Sequence, residues 1–254
     1  MNVNVYKIKC LTNLHVGSGE VNYNIVDNEV EKDAVTGYPV VHASGLKGAL
    51  REHFEKKQMS EESIKNIFGQ KSGETEIKAG SYKFFDAKIL GRPMRVNDSS
   101  MASVTVVSVD SVNAFIKMMN DFGITAFGEE LMERIDFGRL NFVSDCCTSI
   151  EGENVRRVPQ QAKEVMGKLS SVIGNQYAIV KDFNEYDLPV VARNYLENGE
   201  SKNLWYEEVV PHDSIFYTLI LTPDENMNLN MNDIIQVGGH ASIGCGFTKW
   251  TKIG

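Results

Sequence analysis

Four carboxylates lie close together near the start of the chain, and they are the first side chains that could perform chemistry. They are Asp27, Glu29, Glu31 and Asp33. Carboxylate oxygens bind divalent cations, and a carboxylate can also transfer a proton in acid–base catalysis. Groups elsewhere in the chain that could approach them are His15, Asp86, Glu207 and Glu208. Sequence spacing does not show that these groups converge, and most acidic clusters of this kind are solvated loops.

A second candidate site is the segment Ser44–Arg51, which reads SGLKGALR. Lys47 and Arg51 are four residues apart and share one face of a predicted helix. A glycine inside a helix lowers helix stability by about 1 kcal/mol relative to alanine. Glycines at such positions allow another backbone to approach closely. The free N–H groups and partial positive charge of a helix N-terminus also suit phosphate. The segment therefore predicts a sugar-phosphate cradle, although a solvated helix face is the commoner use of such a cation pair.

A third feature is the glycine-rich run from position 238 to 246, GGHASIGCG. Its spacing resembles a dinucleotide-binding loop, but that loop follows the first strand of a βαβ unit, and this run precedes the last predicted strand. We therefore expect it to lie against a polymer backbone. The shorter Gly17-Ser18-Gly19 sequence lacks the Gly-Lys-Thr/Ser continuation of a phosphate-binding P-loop.

Composition limits the partners and the compartment. The chain has 254 residues, 42% hydrophobic content and a formal net charge of −8, which argues against a nucleic-acid partner unless a local groove is basic. The four cysteines show no zinc-ligand spacing, so we expect reduced thiols and a cytoplasmic location. They are Cys10, Cys146, Cys147 and Cys245. The N-terminus has no apolar signal-peptide core, and no apolar run approaches the roughly 20 residues of a membrane span.

The hydrophobic pattern predicts strands that alternate with helices. The predicted strands are Val3–Thr12, Ser81–Leu90, Ala102–Ser108, Leu188–Leu196, Leu204–Val210, Ser214–Leu221 and Phe247–Lys252. One predicted helix begins at a Ser44 N-cap, and another is capped by Asp110 and ends at Gly123. The other predicted helices are Ser60–Phe68, Gln160–Ser171 and Met231–Val237. Asn198-Gly199 between two strand-like runs predicts a hairpin. The class is α+β, with a mixed antiparallel sheet and helices packed on it.

Seven segments in order along the chain together resemble one family. They are Leu14–Gly19 (LHVGSG), Ile25–Asp27 (IVD), Thr36–Pro39 (TGYP), Ser44–Arg51 (SGLKGALR), Phe85–Pro93 (FDAKILGRP), Asn203–Pro211 (NLWYEEVVP) and Ile243–Phe247 (IGCGF). Through them the chain resembles the RAMP superfamily, in particular the repeated backbone subunit of type III-B CRISPR effectors, the fourth subunit of the Cmr complex. The Trp205–Glu208 segment favours the Cmr type over the related Csm type.

The resemblance implies a fold, an activity and partners. The fold is a ferredoxin-like (RRM-like) palm with insertions in a single domain over residues 1–254, with a β-hairpin thumb for which 188–210 is the candidate. Copies stack as a filament on CRISPR RNA beside other Cmr subunits, with no membrane involved. The implied reaction is endonucleolytic cleavage of single-stranded target RNA at regular intervals, with Mg²⁺ or Mn²⁺ as cofactor.

The resemblance also implies roles for individual residues. Asp27 is the catalytic acid and metal ligand, with His15 and Glu208 as possible helpers. The implied RNA ligands are Ser44, Lys47, Arg51, Arg92, Gly244 and Gly246. Two features depart from the family: Cys245 stands where a basic residue is frequent, and acids rather than basic residues follow Asp27.

Two alternatives remain open from the sequence. The same scaffold could act only as a guide-binding filament without nuclease activity, as a Csm-type subunit or an inactive paralogue. The chain could also be an unrelated nucleotide-binding or metabolic enzyme with a ferredoxin-like fold. Co-purification with long RNA would separate the last reading from the first two.

Overall fold

A computed structural model describes residues 1–17, 19, 25–70, 78–98, 101–132, 143–145, 147–151, 159–185, 187–223, 229 and 231–253. The helices are α1 (Ala43–Lys56), α2 (Glu61–Phe68), α3 (Val109–Asp121), α4 (Gln160–Lys168) and α5 (Ser170–Ile173). Short 3-10 turns span Phe183–Glu185 and Ala241–Ile243. The strands are β1 (Asn2–Cys10), β2 (Val40–Val41), β3 (Lys83–Phe84), β4 (Ala87–Asp98), β5 (Met101–Ser108), β6 (Val143–Asp145), β7 (Cys147–Glu151), β8 (Tyr177–Val180), β9 (Val190–Glu197), β10 (Glu200–Glu208), β11 (Ile215–Thr222), β12 (Ile234–Gln236) and β13 (Phe247–Lys252).

Eleven strands form one large sheet, whose main path runs β12-β13-β1-β11-β4-β5-β8. Strands β2, β3, β6 and β7 join it off this path. Among the strands of the described residues most pairs are antiparallel, while β4 pairs with β7 and β5 with β8 in parallel. Strands β9 and β10 form a separate two-stranded sheet.

Alternation along β1 divides the buried core between the two faces of the sheet. Tyr6 and Ile8 pack in the cluster that contains the buried residues of α1 and α2. Val5 packs in the other cluster, with the buried residues of α3, α4 and α5. Because successive side chains of a strand point to opposite faces, helices cover both sides of the sheet. The α+β prediction is confirmed, and the arrangement is consistent with a ferredoxin-like palm that carries insertions.

Helix α1 has the predicted apolar stripe, but it begins two residues earlier than predicted. Leu46, Leu50 and Phe54 are buried as expected. The N-cap is His42, which makes no side-chain cap, so Ser44 is not the cap. Instead the carboxylate of Asp86, distant in sequence, accepts the Ala43 N–H at 2.7 Å. A long-range acid thus satisfies a donor of the first turn and suits the positive end of the helix dipole.

Three other predicted elements differ from the structure. Ser108, not Asp110, caps α3, through a reciprocal capping box with Ser111. The predicted strand Ser81–Leu90 is split between β3 and β4. The predicted helix Met231–Val237 contains strand β12, in which Ile235 is buried and Ile234 is 57% exposed. Neighbouring residues on opposite sides are typical of a strand.

The predicted hairpin is confirmed as β9 and β10. Glu197 pairs with Glu200 across a two-residue turn, and both turn residues have positive φ, 52° at Asn198 and 85° at Gly199. This matches the type I′ turn that Asn-Gly favours. The register of β9 and β10 shifts between Ser201 and Asn203, as at a β-bulge. The outer half of the hairpin is exposed, including Leu196 at 59% and Leu204 at 54%.

Some sequence predictions fall on positions that the structure does not describe. Ser18, Cys146 and parts of the segment between Gly123 and Pro159 lie outside the described residues. Cys10 and Cys245 are free and buried. In the described ranges, no helix combines the length and apolar character required to cross a membrane.

Candidate functional site

Asp27 lies at the base of the β9–β10 hairpin, where it is hydrogen-bonded to β10. Its carboxylate accepts the backbone N–H of Tyr206 at 2.8 Å. Its own N–H donates to the Tyr206 carbonyl at 3.0 Å. Asp27 is exposed, so the acid is fixed to the hairpin and still reaches solvent. An exposed carboxylate with a defined position is suited to act on a bound substrate.

The other three acids of the cluster have structural partners. Glu31 lies 3.3 Å from His42, which precedes α1, and Glu29 lies 3.9 Å from Lys32. Asp33 accepts the backbone N–H groups of Val35 and Thr36 at 3.0 and 2.8 Å, which closes a tight turn. Burial alone would raise the pKa of Asp33, but these hydrogen bonds outweigh it and hold the pKa below its ordinary value. The acidic segment is therefore a loop with defined contacts, in which Asp27 is exposed.

Glu208 and His15, the two suggested helpers, are buried beside this loop. Glu208 accepts the Val30 N–H at 3.1 Å and pairs with Lys32 at 3.1 Å. His15 is 7% exposed, and its Nδ1 lies 2.8 Å from the Glu208 carbonyl oxygen. Because a carbonyl oxygen only accepts, Nδ1 donates this bond. Glu208 holds the loop against β10, and His15 ties the segment before the loop to the same strand, so both have structural uses; their catalytic role stays a prediction.

Glu207, on β10, is a buried carboxylate next to the acidic loop. It is 2% exposed and contacts side chains from several distant segments. Its partners are Trp205 Nε1 at 2.8 Å, Arg193 Nε at 2.9 Å, His240 Nε2 at 3.2 Å and Asn28 Nδ2 at 3.4 Å. Burial alone would raise the pKa of Glu207, but the hydrogen bonds from Trp205 and Arg193, with the charge of His240, hold it below the ordinary value.

The first turns of α1 present a bare backbone to solvent. Ser44, Gly45 and Gly48 are exposed, and a Cβ added at either glycine would meet nothing within 4 Å. Nothing in the described chain therefore requires glycine at these positions. Lys47 is half-buried beside them. The structure thus leaves room for an external backbone at the predicted phosphate cradle.

Arg51 has partners within the chain. Its Nε donates to Glu55 at 3.0 Å, and another guanidinium nitrogen donates to the Gly69 carbonyl at 3.0 Å. Its side chain is 16% exposed. The bond to Gly69 ties α1 to the end of α2, and an RNA phosphate would have to compete with both contacts for Arg51.

The glycine-rich run forms a turn next to the acidic loop. Gly239 N–H donates to the His15 carbonyl at 2.9 Å, and the rings of His15 and His240 are 5.4 Å apart. Gly244 is exposed with φ of 81° and open space around it. Gly246 is buried, and a Cβ there would lie 2.0 Å from the Val237 carbonyl. Close packing within the chain thus explains Gly246, whereas Gly244 is available to a ligand.

Arg92 lies below the surface, at 3% exposure. Its guanidinium donates to the carbonyls of Phe183 and Asp187 at 3.4 and 3.3 Å and lies 5.7 Å from the Phe183 ring centre. It lines a cavity of about 280 Å³ that also contains Lys32 and Glu208. Its observed contacts hold the turn that leads into β9, and its position gives no support to the predicted direct contact with RNA.

The donor set for a metal ion is small. Within the ranges that the structure describes, no three His, Cys, Asp or Glu side chains are grouped so that they could hold a metal ion. Asp27 offers one exposed carboxylate, of which one oxygen accepts the Tyr206 N–H. Mg²⁺ is commonly held by one or two carboxylates together with substrate phosphates and water. Asp27 fits that mode, in which RNA would complete the coordination.

Sequence reasoning did not find the partners of Glu207. Arg193, His240 and Asn28 belong to three segments far apart in sequence. The Trp205–Glu208 segment carries part of the resemblance to the family, but no local pattern marks Glu207 as a point of contact. The one available signal was a charged residue inside an otherwise strand-like run.

Comparisons with known proteins agree on one family. A model of the RAMP superfamily matches residues 7–249. A protein from Pyrococcus furiosus called CRISPR system Cmr endoribonuclease Cmr4 is 31% identical over 277 residues, covering 95% of this chain and 92% of that protein. The crystal structure of oligomeric Cmr4 from Pyrococcus furiosus superposes with a TM-score of 0.71 at 25% identity, covering 100% of this chain and 98% of that one. A chain of the type III-B Cmr-beta complex bound to cognate target RNA has a TM-score of 0.71 at 18% identity, covering 99% of this chain and 97% of that one.

Proposed function

The chain belongs to the RAMP superfamily, and on that basis we propose that it is the repeated guide-binding subunit of a type III-B CRISPR effector complex that cuts target RNA. The relative from Pyrococcus furiosus, which is called a Cmr endoribonuclease, matches nearly the whole of both chains. The observation that carries the proposal is Asp27, an exposed acid held by Tyr206 at the base of a projecting hairpin. The hairpin corresponds to the thumb that crosses the guide–target duplex.

In the proposed reaction the 2′-hydroxyl loses its proton and attacks the adjacent phosphorus in line with the 5′-oxygen. The P–O5′ bond breaks and the 5′-oxygen takes up a proton, which gives a 2′,3′-cyclic phosphate and a 5′-hydroxyl. A duplex kinked at regular intervals would expose one nucleotide to each copy of the subunit, which explains regular cuts. Asp27 then lies where the hairpin meets the kinked duplex, and it transfers a proton or orients the phosphate. Correct orientation of the reacting groups contributes much of the rate enhancement. Tyr206 N–H fixes one carboxylate oxygen and leaves the other for the substrate.

A divalent cation, Mg²⁺ or Mn²⁺, is part of the proposal. When bound, it would supply positive charge at the phosphate. Asp27 is the ligand that this chain would contribute, and phosphate oxygens and water would complete the shell. The chain's own part is to hold the carboxylate in place, through the two hydrogen bonds with Tyr206.

The guide backbone is proposed to lie across the first turns of α1 and the exposed part of the glycine-rich turn. Ser44, Gly45 and Gly48 leave the helix surface bare, and Gly244 does the same in the turn. Free N–H groups at the helix start and the charge of Lys47 suit phosphate oxygens. Such contacts bind any sequence, as a guide-carrying scaffold must.

The partners follow from the same proposal. They are CRISPR RNA, target RNA, further copies of this chain along the guide, and other subunits of the complex. A relative of 25% identity crystallised as an oligomer, which supports stacking of copies. The free, buried thiols of Cys10 and Cys245 are in keeping with a reducing compartment, and we place the complex in the cytoplasm.

The experiment is target cleavage by the complex assembled with a defined guide. A labelled complementary RNA should give products spaced at a constant interval when Mg²⁺ or Mn²⁺ is added, and a non-complementary RNA should stay intact. Retained guide with uncut target would establish the filament without nuclease activity. Purified protein that carries no RNA and assembles with no guide would instead favour an unrelated enzyme of similar fold.

A further inference from the structure

The buried carboxylate of Glu207 joins the hairpin to the two segments that face the substrate. Placing a charged carboxylate at 2% exposure is costly unless hydrogen bonds and opposite charge compensate. Arg193 and Trp205 hold it from the hairpin, His240 from the glycine-rich turn and Asn28 from the acidic loop. One side chain therefore fixes three segments that have no sequence proximity.

The contact with Asn28 leads directly to Asp27. Asn28 Nδ2 donates to Glu207 at 3.4 Å, and its carbonyl accepts the Glu208 N–H at 2.9 Å. The N–H groups of Asp27 and Asn28 both donate to the Tyr206 carbonyl, at 3.0 and 3.2 Å. The backbone of Asp27 and Asn28 is thus laid along β10, and the Asn28 side chain anchors it to the buried carboxylate.

We infer that Glu207 is a positioning residue for target cleavage, which acts through Asn28 to set the place of Asp27. The inference rests on the proposed function of Asp27. Glu207 has too little exposure to touch RNA, its oxygens already accept hydrogen bonds from three side chains, and Oε1 lies 3.2 Å from His240 Nε2, so it is not itself a catalytic group. Both of its oxygens are needed as acceptors, because Trp205 and Asn28 donate to Oε1 and Arg193 donates to Oε2.

The test compares Glu207→Gln and Asn28→Ala in the assembled complex with guide bound. Glu207→Gln keeps the shape of the side chain but places an amide N–H group among the N–H donors that contact it. Asn28→Ala removes only the hydrogen bond between the acidic loop and Glu207. Displacement of a catalytic group by about 1 Å costs on the order of 100-fold in rate. We therefore expect the single-turnover rate at saturating target to fall roughly 10- to 100-fold in both variants, with target affinity within about twofold of wild type.

Asp121→Asn is the matched control, because Asp121 is an exposed acid on α3 that pairs with Lys117 at 2.6 Å, away from the site. It should cut at the normal rate. A loss of rate with unchanged target affinity is not expected from a general loss of hairpin structure, which would weaken target binding as well.

The possible outcomes decide between the readings. A normal rate in Asn28→Ala overturns the inference, as does a parallel loss of rate and target affinity in both variants. If Glu207→Gln does not assemble, Asn28→Ala alone decides, since it leaves the other contacts of the carboxylate in place. Failure of the proposed function is a separate result: Asp27→Asn would then cut normally, whatever the Glu207 variants do.

Discussion

Asp27 and Tyr206 are joined by two hydrogen bonds although 179 positions separate them in the chain. The Tyr206 N–H donates to the Asp27 carboxylate at 2.8 Å, and the Asp27 N–H donates to the Tyr206 carbonyl at 3.0 Å. The acid is therefore attached to β10 and moves with the base of the hairpin. When the hairpin contacts a target duplex, the Asp27 carboxylate would therefore be brought to the duplex with it.

Replacing Asp27 with asparagine should abolish cutting and leave binding intact. Asparagine retains an oxygen that can accept the Tyr206 N–H, so the loop should stay attached to β10. Loss of the charge should slow single-turnover cleavage roughly 100- to 10,000-fold, the range for one acid–base group. Guide and target affinity of the assembled complex should remain close to those of wild type.

Glu29→Ala is the comparison for Asp27→Asn. Glu29 is in the same loop, and its contact with Lys32 is a long ion pair of 3.9 Å. This variant should cut at the normal rate, because only Asp27 is presented on the hairpin. Equal loss of cutting in both variants would show that loop charge in general, and not the Asp27 carboxylate, supports the reaction.

Lys47→Glu should weaken guide binding for every guide sequence. Removing one ionic interaction with a phosphate of single-stranded RNA lowers the slope of log K against log salt by about 0.7. Binding measured over a salt series should show that change for Lys47→Glu and none for Lys117→Glu, an exposed lysine on α3. An unchanged slope for Lys47→Glu would remove this residue from the set of phosphate ligands.

Arg51 needs its own version of this measurement, because the structure gives it two partners within the chain. Its hydrogen bond to the Gly69 carbonyl joins α1 to the end of α2. Arg51→Gln should therefore lower the free energy of unfolding by about 1 to 3 kcal/mol, as expected for a hydrogen bond from a charged group. A reduced salt slope in addition would show that Arg51 also reaches the guide.

Stability should depend on pH through Glu207. Its pKa in the folded state lies below the ordinary value of 4.5, so the charged form contributes stability above the unfolded pKa. That contribution is lost as the pH falls through the lowered folded value. The urea midpoint of wild type should therefore drop toward that of Glu207→Gln between about pH 5 and more acidic conditions. A constant difference between the two proteins across this range would contradict the depressed pKa.

The sequence predicted those features that depend on local periodicity. The stripe of Leu46, Leu50 and Phe54 identified α1, and Asn198-Gly199 identified the hairpin turn, because each pattern is contained within a few residues. Met231–Val237 was misassigned for the same reason: its buried residues fit a helical spacing, and only pairing with β13 selects the strand. Tertiary pairing overrides such short patterns.

The site was predictable only where one residue could be matched to the family. Asp27 is proposed as a site residue in this way, but its attachment to Tyr206 and the contacts of Glu207 depend on segments that meet only in the folded chain. Asp86 illustrates the same limit. It falls inside the predicted strand Ser81–Leu90, and nothing in that pattern indicates that it caps the first turn of α1.

Gly199→Val tests the role of the hairpin tip apart from its base. Gly199 has φ of 85°, a conformation that a β-branched residue adopts only with strain. The turn should distort, while the two cores of the sheet, which contain no residue from the outer hairpin, should keep the melting temperature near that of wild type. Asn198→Gly, which accepts positive φ without strain, is the matched control and should behave as wild type.

In the assembled complex, Gly199→Val should hold the guide normally but bind or cut target RNA poorly, because guide contacts are assigned to α1 and the glycine-rich turn, whereas the hairpin is assigned to the duplex. Guide retention, target affinity and product spacing, measured on the same preparation, separate these roles. Normal target handling by a complex whose melting temperature has fallen would show that the hairpin serves the stability of the subunit and is not the thumb. Loss of target handling at an unchanged melting temperature is the expected result.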